Sequence, residues 1–95
     1  MIVGVLTLEF RLHGNDSLKG KRSVAQRLKM KLRNKFNVAV SEIAHQDMLD
    51  TLALGVVTVS PDAKHAQGLL QKALNMVVAA DEAELIYDDI ELIGP

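Results

Sequence analysis

The sequence predicts an α+β fold of the ferredoxin-like type, βαββαβ, with a four-stranded antiparallel sheet and two helices on one face. Three observations carry this. Apolar residues recur with period two over Ile2–Leu12 and with period 3.6 over Leu18–Asn34 and Ala63–Ala80. The resulting order is strand–helix–strand, twice, with no linker and no low-complexity stretch. A chain of 95 residues is room for one domain and little else, so residues 1–95 are read as a single ferredoxin-like domain.

The elements follow in order. Ile2, Gly4, Leu6, Leu8, Phe10 and Leu12 fall on one face of the first strand, and Val3, Val5, Thr7, Glu9, Arg11 and His13 on the other. Gly14-Asn15-Asp16-Ser17 is a turn cluster in which Asp16 or Ser17 caps the next helix. In that helix Leu18, Val24, Ala25, Leu28 and Leu32 share about 120° of arc. Lys21 projects into the middle of this apolar arc. The helix is therefore expected to start later than Leu18, or Lys21 to lean off the packed surface.

Asn37–Ala44, rich in Val and Ile, reads as a second strand, and the polar residues His45–Asp50 as a hairpin turn. Leu52–Val59 is apolar on both faces, as a mid-sheet strand should be. Ser60-Pro61-Asp62 starts the second helix, with Ser60 as cap and Pro61 in the first turn. Ala63, Ala66, Leu69, Leu70, Ala73, Leu74 and Val77 form its apolar stripe. Leu85–Ile93 is the last strand, with acids interleaved. Helices on one side only leave Val3, Val5 and Thr7 on an open sheet face, where a homodimer is expected to form.

Composition narrows the chemistry. Forty-eight percent apolar and 24% charged residues make an ordinary globular chain. The absence of cysteine removes disulfides, thiolate metal sites and cysteine nucleophiles together. No apolar run approaches the roughly 20 residues of a membrane span, and Glu9 and Arg11 interrupt any signal core, so no membrane association and a cytoplasmic location are expected.

The near-neutral total of −1 hides two poles. Lys19, Lys21, Arg22, Arg27, Lys29, Lys31, Arg33 and Lys35 are eight of the eleven basic residues, and no acid lies among them. That segment is +8 and the rest of the chain −9. Asp81, Glu82, Glu84, Asp88, Asp89 and Glu91 crowd into eleven residues near the end.

Met1-Ile2-Val3-Gly4-Val5-Leu6, Ser17-Leu18-Lys19-Gly20-Lys21-Arg22, Arg33-Asn34-Lys35-Phe36-Asn37-Val38-Ala39-Val40-Ser41-Glu42, Asp47 and Leu54-Gly55-Val56-Val57-Thr58-Val59-Ser60 together form a familiar pattern. It resembles the YlxP-like family of small bacterial proteins of unassigned function, over nearly the whole chain. Gly20 stands where that family usually has an acid, and Met48-Leu49 where it often has tryptophan. The resemblance implies a ferredoxin-like fold. It also implies a ribosome-associated or RNA-binding role, since such genes commonly lie among those for transcription elongation and translation initiation factors.

Charge runs are usually solvated faces, but this one has features a bland face lacks. Arg22, Gln26, Lys29 and Arg33 form one outward ridge about 16 Å long, with Lys19 beside it. The helix dipole explains Lys31, Arg33 and Lys35 near the C-terminus and disfavours Lys19, Lys21 and Arg22 at the other end. The leading expectation is thus a non-catalytic RNA-binding or ribosome-associated module using Lys19, Lys21, Arg22, Lys29 and Arg33 against phosphates. Sheet-face base stacking is not expected, because Phe10 points to the core and only Phe36 and Tyr87 remain as aromatics.

The alternative is a protein–protein adaptor or assembly factor whose basic helix docks an acidic surface. A weaker one is a small phosphate-ligand sensor or enzyme, with Ser17, Lys19, Gly20, Lys21 and Arg22 holding a lone phosphate at the helix start. That segment is one residue too long between its glycines for a nucleotide-binding loop, and Arg22 replaces the magnesium-binding hydroxyl. His13, His45 and His65 show no metal-ligand spacing, and no catalytic triad order is present, so no metal, no cofactor and no catalytic residue is expected.

Overall fold

The computed structural model describes residues 1–95. Its elements are β1 (Ile2–Arg11), α1 (Leu18–Lys35), β2 (Ala39–Ala44), β3 (Thr51–Ser60), α2 (Ala63–Ala80) and β4 (Glu84–Ile93). The strands pair antiparallel in the order β2-β3-β1-β4, which is the ferredoxin-like arrangement. The mid-sheet strand predicted from its two apolar faces is indeed flanked by β2 and β1.

Alternation decides which way β1 faces. Leu6, Leu8, Phe10 and the following Leu12 are buried against Leu28 and Leu32 of α1, Leu52, Leu54 and Val56 of β3, and Leu70 and Val77 of α2. Each such leucine contributes about 1.5–3 kcal/mol by leaving water. Helix α2 packs across β1, β4 and β3, while α1 lies over β2. Gly4 permits the close approach of α2: a Cβ there would come within 2.8 Å of Leu70 Cδ1.

Ser17 caps α1, its Oγ accepting from the Gly20 amide at 3.0 Å. The cap of α2 corrects the sequence reading: it is Asp62, whose Oδ1 accepts from the Lys64 amide, and Pro61 stands outside the helix. Ser60 closes β3 instead, and its Oγ accepts from the Asp62 amide at 3.1 Å, fixing the strand-to-helix corner.

The helices cover one side of the sheet. On the other, Val3 and Val5 of β1 lie opposite Val59 and Val57 of β3, and Ile93 and Glu91 of β4. Val59 is 56% exposed and Ile93 50%. At the far end of this face Glu9 Oε1 and His45 Nε2 lie 2.8 Å apart. Their bridge crosses β3 at the level of Ala53, which is buried.

Candidate nucleic-acid interface

Helix α1 presents Lys19, Arg22, Gln26, Lys29 and Arg33 at spacings of three and four residues, so they share one side. From Lys19 to Arg33 this side runs roughly 21 Å at 1.5 Å per residue. Lys19, Arg22 and Arg33 are exposed and Lys29 is half-buried. Beside them a groove of about 560 Å³ separates α1 from β2 and the β2–β3 loop; Lys19, Arg22, Gln26, Lys29 and Gln46 line it, with the Lys21–Glu42 pair also in its wall.

Lys21 departs from its expected role. Helix α1 does begin at Leu18, and Lys21 does not lean outward: it is 2% exposed. Its ammonium donates to the carbonyl oxygens of His45 (2.5 Å) and Met48 (2.7 Å) and lies 3.1 Å from Glu42 Oε2. Two of its donors meet backbone carbonyls and a carboxylate lies beside it, so the charge is held inside rather than offered to a phosphate. Glu42 Oε2 is buried and accepts no well-aligned hydrogen bond, which leaves the ammonium's charge as its compensation. His45 adopts a left-handed backbone (φ 60°) at the end of β2, and its carbonyl is one of the two that receive Lys21.

A second tie reaches the same β2–β3 loop from the turn before α1. Asn15 Nδ2 donates to the carbonyls of Ser17 (2.9 Å) and Leu49 (2.5 Å). The Asn15 side chain lies so close over the helix that a Cβ on Gly20 would stand 2.2 Å from its Oδ1. Any larger residue at this position makes the Asn15 side chain move, so Gly20 is what admits this particular tie. The proposed phosphate cradle at Ser17, Lys19, Gly20, Lys21 and Arg22 is corrected accordingly. The Gly20 amide is held by Ser17 Oγ, the Lys21 amide by Ser17 O, and the Lys21 side chain points inward. Of the cations in that set only Lys19 and Arg22 face solvent.

Neutralisation by the acidic segment is local. Glu82 Oε2 lies 3.0 Å from Arg27 Nε and 3.5 Å from Lys31 Nζ, on the side of α1 away from the ridge. Glu84 faces His13 at 3.4 Å. Asp88, Asp89 and Glu91 sit on β4, the sheet edge opposite the strand that carries α1, and form no ion pair. Arg33 Nη2 donates to the Val40 carbonyl at 2.8 Å, covering an acceptor on edge strand β2. Lys19, Arg22 and Lys29 meet no carboxylate.

Sequence reasoning did not find Asn15, Glu42, Glu82 or the Glu9–His45 pair, all of which act across distant parts of the chain. Gly20 in the first turn of α1 is the one local signal that something must lie against the helix there.

A family model described as "Protein of unknown function (DUF503)" matches residues 3–90. The chain belongs to the DUF503 family. It is 32% identical over 83 residues to the uncharacterized protein YlxP of Bacillus subtilis (strain 168), a match covering 87% of this chain and 90% of that one. The YlxP-like resemblance read from the motifs is thereby shown. Solved structures similar to this DUF503 chain share its fold. The de novo designed protein Foldit4 has a TM-score of 0.54 at 11% identity, covering 99% of this chain and 97% of that chain. SnoaB, a cofactor-independent oxygenase from Streptomyces nogalater, has a TM-score of 0.52 at 16% identity, covering 100% and 94%. At such identities the likeness concerns architecture and says nothing of activity. No helix of the chain is long and apolar enough to cross a membrane.

Proposed function

We propose that this DUF503 protein is a non-catalytic module that binds structured RNA, in association with the ribosome, through Lys19, Arg22, Lys29 and Arg33. The observation that carries the reading is the ridge itself: its exposed cations stand beside a groove while the acidic segment pairs on the other side of α1 or lies on the far sheet edge. Cations at the start of a helix oppose its dipole by a few tenths of a kcal/mol each, so Lys19 and Arg22 weaken the isolated fold and favour a polyanion in return.

The contact is to phosphates and shape. Phe10 is buried, Phe36 is half-buried, and Tyr87 sits on β4 away from the ridge, so no aromatic platform lies beside these cations. The same reading leaves the open sheet face for a second copy of the chain.

The test is fluorescence anisotropy with ribosomal RNA helices over a range of salt. Four phosphate contacts give a slope of log K against log[salt] of about −3 to −4. Arg22→Glu/Lys29→Glu is expected to weaken binding at least tenfold and to flatten that slope by about two. Arg33 is left intact in this variant because it also holds Val40. Unchanged affinity in the double variant overturns the reading. So does tight binding to an acidic protein that RNA does not displace, which marks an adaptor instead.

A further inference from the structure

The chemistry of the uncovered side of the sheet is sorted. Val3, Val5, Val57, Val59 and Ile93 cluster toward one end of the central strands. Glu9, Arg11 and His45 gather at the other end, and Asp89 and Glu91 line the β4 edge. The principal clefts lie at the ends of the molecule and beside the helices, and they touch this face only at its ends, at Val59 and Arg11. Three strands of ten residues and one of six, about 4.8 Å apart, span somewhat under roughly 600 Å². Two such faces in contact bury about 1,100–1,200 Å², the lower bound of a stable interface, apolar at one end and charged at the other.

We infer that a second copy of this chain covers the open sheet face, with the twofold axis running along the strands between β1 and β3. Two independent features choose that axis. It stacks the valine-rich end of one sheet on the valine-rich end of the other, and the Glu9–His45 end on its own copy. It also sets each β4 over the partner's β2, whose residues on this face are Ala39, Ser41 and Ile43, so the acidic edges lie apart. An axis across the strands brings Asp89 and Glu91 onto their own copies and puts valines against charged groups. With the sheets face to face, both α1 helices remain on the outside of the dimer, free for the polyanion reading. The dimer itself does not depend on that reading.

Sedimentation equilibrium of the full chain, without RNA, tests the inference. A dimer is expected at micromolar concentration. Val57→Lys and Val59→Lys, both at exposed positions that keep the fold by circular dichroism, are expected to weaken it at least tenfold, while Ala79→Lys on α2 leaves it unchanged. Asp89→Lys is expected to change the dimer constant less than about threefold. A wild-type chain that is monomeric at about 100 µM, roughly a hundredfold above that range, overturns the dimer. Folded lysine variants that still dimerise overturn the face, and an Asp89→Lys dimer tightened tenfold overturns the axis.

Discussion

Replacing Lys21 by Met keeps the aliphatic stem and removes the ammonium, which isolates the charge from the packing. The side chain is almost fully buried, and its loss leaves the His45 and Met48 carbonyls without their donor and Glu42 without its countercharge. Breaking a buried pair by removing one partner destabilises by about 3–5 kcal/mol, and each orphaned carbonyl by about 1–3. Glu42 is a quarter exposed and can turn toward water, so the lower end applies: about 3 kcal/mol. For a domain of this size that is a fall in Tm of roughly 15 °C. Urea and thermal unfolding followed by circular dichroism measure it. Lys19→Met, on the solvent side of the same helix, is expected within about 0.5 kcal/mol of wild type. A Lys21→Met protein as stable as the Lys19→Met control refutes the clamp, and with it the removal of Lys21 from the phosphate contacts.

The other expectations rest on separate contacts. Gly4→Ala places a Cβ 2.8 Å from Leu70 Cδ1, which is fully packed, and is expected to cost about 1–2 kcal/mol in urea unfolding despite the better backbone propensity of alanine. Gly20→Ala is expected to destabilise by about 1 kcal/mol in the wild-type background and to be neutral or stabilising in Asn15→Ala, so a double-mutant cycle should show coupling between the two positions. Glu82→Gln releases Arg27 and Lys31 and is expected to change stability by less than about 1 kcal/mol while raising RNA affinity two- to fivefold at low salt; weaker binding speaks against α1 as the contact.

What the sequence revealed and what it hid divide along a physical line. Periodicity reports which side of an element loses water, and so the faces of β1, the stripe of α2 and the central place of β3 were readable before any coordinates. The cap of α2 was misplaced by two residues because Ser60 and Asp62 are both good cap residues, and only the corner geometry distinguishes them. Lys21 was visible as an anomaly, a cation inside an apolar arc. Its resolution was not visible, since the acceptors come from the far end of β2 and the loop after it, and no local rule links position 21 to His45 or Met48. The same holds for Glu82, which reaches α1 from the turn before β4.

The structure accounts for part of the cationic segment and thereby sharpens what is left. Lys21 is the clamp on the β2–β3 loop, and Arg27 and Lys31 share Glu82. Arg33 and Lys35 sit in the last turn of α1, where the helix dipole favours them, and Arg33 also covers the Val40 carbonyl. Five of the eight basic residues between Lys19 and Lys35 therefore have reasons internal to the fold. Lys19, Arg22 and Lys29 have none: they carry no acid partner, two of them oppose the dipole, and all three line the same groove. A fold selected for stability alone gains by replacing these three with neutral helix formers. Their combined replacement by Gln should accordingly leave the protein at least as stable as wild type and remove most of the RNA affinity, a pairing of outcomes that a merely solvated charged face does not produce.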